Sequence, residues 1–153
     1  MRPLLARLIG HRAGASALEV AIILPVVTGL VMVAMDFSNA WFTRLQLEQA
    51  AQRGIELVAV RKGVAASYDY AVTEMTSAWG RPVSSATADV WLECGGVRQA
   101  TLTANCNGAQ RARYLKLRIA ARFSPMFDWG FFYDGPDADG TALLVGDAVV
   151  RVQ

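Results

Sequence analysis

The chain has 153 residues, 54% of them apolar and 18% charged, with a net charge of +2. That length accommodates one domain, or an anchor plus one small domain. The near-neutral balance removes the electrostatic case for nucleic acid as a partner.

The charge is unevenly placed. Residues 1–14 carry Arg2, Arg7 and Arg12 and no acid, leaving a nearly neutral remainder. A basic leader ahead of an apolar run holds the N-terminus in the cytoplasm and sends the C-terminal side outward. The leader resembles the n-region of an export signal. The apolar core after it is longer than that of an ordinary secretory signal, and Ser38-Asn39-Ala40 is the best conventional cut. With no cysteine nearby, a lipoprotein anchor is excluded.

From Ala15 to Met35 the chain runs for about 21 residues with one ionisable group, Glu19, the length a helix needs to cross ~30 Å of hydrocarbon. A carboxylate at mid-bilayer costs about 2.5–3.5 kcal/mol on insertion scales, and less near a helix end. Glu19 therefore either snorkels to the headgroups or has a partner. Pro25 removes one helical hydrogen bond, and Gly29 adds softness one turn later. The pair is either a compliant spot for packing or an ordinary membrane-helix proline.

Beyond Phe37, Leu47, Ala50, Ala51, Gly54 and Val58 fall on one helical face and Gln46, Gln49, Arg53 and Glu56 on the other. One helix is expected from Ala15 to about Arg61, on the order of 70 Å long. Its second half should pack on a head domain, and Lys62-Gly63 is the stop. Ser67 to Trp79 reads as a second helix with a core stripe of Tyr68, Val72, Met75 and Trp79. Gly80-Arg81-Pro82 ends it.

Strands follow. Asp89–Cys94 is expected after a loop at 84–88, with Val90 and Leu92 on one face and Trp91 and Glu93 on the other. Gly95-Gly96 signals a turn and Gln99–Cys106 a return strand. Cys94 and Cys106, both beyond the span, are expected to form a disulfide tying that pair, if the compartment is oxidising; the alternative is two unlinked thiols. Asn107-Gly108 is the strongest short turn signal. Arg111–Phe123 is the clearest strand, and Leu143–Val152 the last. Helices first and strands afterwards give an α+β fold, an antiparallel sheet with helix on one face. The expected division is a leader at 1–14, a long helix at 15–62 and an extracytoplasmic head at 63–153.

Between the last strands, Pro125 to Tyr133 is unusually apolar for a loop, so Phe127, Trp129, Phe131 and Phe132 are candidates for partner contact. Chemistry is otherwise sparse. His11, in the leader, is the sole histidine, so no His-dependent triad or His metal site survives its removal. Asp134, Asp137 and Asp139-Gly140 fail the EF-hand template, which would put glycine at the first and twelfth ligand positions. Arg111, Arg113, Lys116, Arg118 and Arg122 read as a solvated sheet face rather than a phosphate site. No catalytic residues, metal or cofactor are expected.

Gly14-Ala15-Ser16-Ala17-Leu18-Glu19 resembles the prepilin-peptidase site of type IV pilins, with Gly before the cut and Glu at the fifth mature position. The longer run GASALEVAIILPVVTGLVMVAMDF resembles the TadE-like family, minor pilins (pseudopilins) of tight-adherence (Tad, Flp) type IV pili, including Pro25 six residues after Glu19 and Asp36 closing the span. The resemblance covers roughly residues 10 to 60, with a weaker echo near 113–125. It departs at Ala15, where ordinary type IV pilins commonly carry Phe, which leaves N-methylation open.

The resemblance implies a pilin-like fold and a non-catalytic subunit, cut after Gly14. Gly14, Ala15 and Glu19 would serve processing, and Glu19 and Pro25 subunit docking. The new Ala15 amine would pair with Glu19 of its own chain or a neighbour. Implied partners are a prepilin peptidase, a second TadE/TadF/TadG-like minor pilin, the major Flp pilin, inner-membrane platform proteins and membrane lipid. The implied location is the bacterial inner membrane with the head in the periplasm, and the extracellular pilus after assembly. The alternative is an uncleaved, single-pass periplasmic scaffold or binding module.

Overall fold

A computed structural model describes residues 12–61, 67–127 and 140–152, with residues 12–16 described in backbone only. The element order is α1 (Arg12–Arg61), α2 (Asp69–Trp79), β1 (Ser85–Cys94), β2 (Val97–Arg98), β3 (Arg111–Phe123) and β4 (Ala142–Arg151). Contacts divide the chain into two compact units, Met1–Ser38 and Asn39–Gln153, and the division falls inside α1. The fold is α+β.

In the first unit, α1 continues through Pro25. The polar side chains within it are few. The Thr28 hydroxyl donates back to the Leu24 carbonyl at 2.8 Å, and that of Ser38 to Ala34 at 2.7 Å. Such i−4 bonds satisfy a hydroxyl without water, which an apolar surrounding demands.

The second unit is a four-stranded antiparallel sheet in the order β2-β1-β3-β4, with helix on one face. β3 is the central strand because it alone supplies long apolar side chains at every second position. Leu115, Leu117 and Ile119 are fully buried. In register beside them lie Val90 and Val150, Ala88 and Ala148, and Ala86 and Gly146. Against this face pack Leu47, Ala50, Ala51 and Val58 of α1, together with Ala71, Met75 and Trp79 of α2. Each large side chain so buried contributes about 1.5–3 kcal/mol relative to exposure.

Two glycines set how closely the layers approach. A Cβ on Gly54 would lie 2.6 Å from Leu117 Cδ1 and 2.8 Å from the Ala71 carbonyl oxygen. A Cβ on Gly146 would run into the α1 backbone at Leu47 and Glu48. The helix therefore rests directly on the β4 backbone, with no side chain between.

Helix α2 ends at Gly80, whose φ of 65° is left-handed and whose N–H donates to the Thr76 carbonyl at 3.1 Å, a geometry glycine adopts without a Cβ penalty. Arg81 then stacks over Trp79, 4.0 Å from the ring centroid, and its guanidinium donates to the Gln46 side chain on α1.

The opposite sheet face is polar and aromatic. Trp91 stacks on Tyr114 with centroids 5.4 Å apart, and its indole N–H donates to Glu93 at 2.8 Å. Arg98 caps the stack and pairs with Asp89, and Lys116 pairs with Asp147 at 2.8 Å.

Two strand expectations are corrected. β1 starts at Ser85, so 85–88 is strand rather than loop. β3 is long enough to pair with it as far as Ser85↔Ala120, overriding the weak propensity of Ser85, Ala86 and Ala88. The return strand expected at Gln99–Cys106 does not form; β2 is only Val97–Arg98. The expected disulfide forbids it. Extending the Cys94↔Val97 register would carry Cys106 opposite Ser85, about 30 Å along β1 at 3.3 Å per residue. Cys94 and Cys106 are in fact bonded, with Cα atoms 5.2 Å apart. The bond folds residues 99–106 back to the hairpin end. There Asn107 and Gly108, both at positive φ, make a turn closed by Ala109 N–H to the Cys106 carbonyl at 2.8 Å.

Candidate functional site

The candidate site is the N-terminal half of α1. Gly14 and Ala15 lie in its first turn by backbone, outside the residues with described side chains. From Ala17 to Met35 every residue is exposed except Gly29 and Met32, which are half-buried. Leu18 and Leu30 are 65% exposed and Ile22 64%. An 18-residue window here has a mean hydropathy of 2.4, with none of it buried.

The apolar side chains occupy all sides of the helix, so no stripe distinguishes an inner face. A helix apolar all round belongs in a protein interior or a membrane. Among the described residues, none supplies an interior for it. Length and composition therefore point to a membrane anchor.

Glu19 is exposed and is the single ionisable residue between Ala17 and Met35. In hydrocarbon, the helix offers the carboxylate no cationic partner of its own between Ala17 and Met35. Its partner has to come from headgroups, from an amine at the chain's own start or from another molecule. Pro25 is exposed, three residues before the back-bonded Thr28. Asp36, which closes the run, is buried, 6% exposed.

Residues 14–55 match the family model of the TadE-like protein. Over this stretch the chain is TadE-like. The match takes in the exposed apolar run, Glu19 and Pro25, and stops at Ile55, ahead of α2 and the sheet. The match over this stretch suggests an association with the Tad pilus system. Neither the curated proteins nor the solved structures yield a match.

The remaining candidates fall apart in space. Phe127 is half-buried, whereas Trp129, Phe131 and Phe132 lie outside the described residues, as do Asp134, Asp137 and Asp139. Among the described residues there is no group of three or more His, Cys, Asp or Glu able to hold a metal. The basic run of β3 is split by strand alternation. Arg111 and Arg113 donate to the Leu102 carbonyl in the disulfide loop, at 3.0 and 3.4 Å. Lys116 is ion-paired, and Arg122 donates to Thr141 at 2.9 Å. These bonds serve the sheet and leave no convergent anion cradle along β3 among the described residues.

Proposed function

We propose that the chain is a non-catalytic minor pilin, or pseudopilin, of a Tad (Flp) pilus used in surface adherence. It is made as a precursor anchored in the bacterial inner membrane, with its basic leader in the cytoplasm and its head in the periplasm. A prepilin peptidase cuts after Gly14. The apolar helix then exchanges lipid for the helices of a second TadE/TadF/TadG-like minor pilin and the major Flp pilin, with platform proteins of the inner membrane driving the transfer.

One observation carries this reading. A TadE-like helix exposes apolar side chains on every side and carries a single acid near its start. That combination suits a rod which is solvated first by lipid and then by similar rods. Glu19 provides the directional element, since apolar packing alone sets no register. Cutting at Gly14 exposes an ammonium on Ala15, four residues away. An ion pair within a helix bundle fixes which neighbour sits where, because an unpaired charge there is costly. Pro25 loosens the helix without exposing it to water.

Mass spectrometry of the mature N-terminus tests the proposal. A chain beginning at Ala15 is the expected result, and Gly14→Leu should leave the precursor uncut. A native chain that still begins at Met1 would instead support the uncleaved, single-pass scaffold.

A further inference from the structure

Exposed apolar side chains gather at one end of the second unit. Trp41 is 53% exposed and Phe42 64%, on consecutive positions of α1. Met126, 68% exposed, is placed beside the same turn, with its sulfur 3.5 Å from the Asn39 side-chain nitrogen. Leu143, 48% exposed, opens β4 opposite Arg122, at the sheet end from which the chain leaves for Met126. The other end of the sheet holds the Gly95-Gly96 turn and the disulfide loop, whose residues 99–109 are mostly Gln, Thr, Asn and small.

The apolar end is also the end nearest the anchor in sequence. Trp41 follows Met35, the last residue of the apolar run, by six positions. Bilayer headgroup zones add roughly 5–7 Å on each side of the hydrocarbon. Helical side chains lean toward the helix N-terminus, so the Trp41 ring covers the turn before its own Cα. That direction is back toward the bilayer. Tryptophan is enriched at this depth, where its amphipathic ring sits at the level of the headgroups. Nearby hydroxyls are withdrawn from the surface, since Ser38 and Thr43 donate back to the carbonyls of Ala34 and Asn39.

We infer that this end of the head is seated in the lipid headgroup zone, with Trp41, Phe42 and Met126 as its contact with the bilayer. The inference rests on the membrane-anchored reading above and adds a second contact to it. The connection after β3 touches the same lipid surface as the helix. Two contacts at different points of the head set its tilt, which one flexible attachment leaves free. Lipid is the occupant because the patch continues the apolar run along one chain and repeats the residue types of a membrane-water boundary.

The test uses the full chain in vesicles of phosphatidylcholine and phosphatidylglycerol, with the native disulfide kept oxidised. Nitroxide labels are placed singly through Val31→Cys, Met126→Cys and Leu102→Cys. Collision with oxygen and with a water-soluble nickel chelate reports depth. The expected oxygen-to-nickel accessibility ratio is highest at 31, lowest at 102, and several-fold above the 102 value at 126. A label at 126 that matches 102 while 31 stays deep overturns the headgroup seat and leaves the anchor standing. A label at 31 that reads as aqueous overturns the anchor, and the seat with it.

Discussion

Between Ala17 and Met35, α1 leaves Leu18, Ile22 and Leu30 about two-thirds exposed, whereas between Leu47 and Val58 the same helix buries Leu47 and Ala51 completely. Both stretches are apolar and both are helical. The difference lies in side-chain arrangement and in what the chain offers opposite them. Leu47, Ala50, Ala51, Gly54 and Val58 form one stripe with polar residues behind it, and the stripe meets β3, β4 and α2. The earlier stretch is apolar on every side and rich in bulky aliphatics. Burying it needs a surrounding, whereas burying the later stretch needs only one surface. The described residues make that surface and supply no such surrounding, as an anchor in lipid would require.

Substitutions that respect or violate this difference should separate the two halves. The largest effect is expected from Gly146→Val, which pushes a branched side chain into the α1 backbone. Overpacking of this kind costs about 3 kcal/mol or more, and urea unfolding of the head should show it. Gly29 has nothing within 4 Å of its missing Cβ, so Gly29→Ala should leave head unfolding unchanged. Equal effects at the two glycines would break the comparison.

Leu47→Ala should cost about 2–5 kcal/mol through the cavity it opens, while Leu30→Ala should not move the same transition. Replacing both Cys94 and Cys106 by Ser should cost about 3 kcal/mol in the chain-entropy model, read as a lower thermal midpoint without loss of membrane association. At the small end, Lys116→Ala should cost under about 1 kcal/mol, as exposed pairs do. A larger loss would mean that the polar sheet face does more than stay wet.

How much of this was legible in the sequence follows the same division. Leu47 to Val58 and Arg111 to Phe123 were readable because each carries one clean period, 3.6 or 2, against a polar opposite face. Ser85–Ala88 hid its strand character because pairing with β3, rather than its own residue types, makes it extended. The expected return strand at 99–106 does not form because the Cys94–Cys106 bond outranks local alternation. A strand through Cys106 and a bond from Cys106 to Cys94 cannot coexist, and the spacing alone contained that contradiction.

The candidate site stands out in the sequence for a different reason. Gly14, Glu19 and Pro25 stand out against an otherwise uniform apolar run, so single positions carry the signal. What the sequence hid was the end-on grouping of Trp41 and Phe42 with Met126, eighty-odd residues apart. Only the passage of β3 across the α1 stripe brings them to one edge.

The most direct test of the account compares Glu19→Ala with the unaltered chain for N-terminal processing and for presence in sheared pili. The account predicts that the variant is still cut to begin at Ala15 yet stays with the membrane and is depleted from the filaments. A variant that is cut and enters the filaments at the normal level would contradict it, because the apolar helix would then dock without its acid.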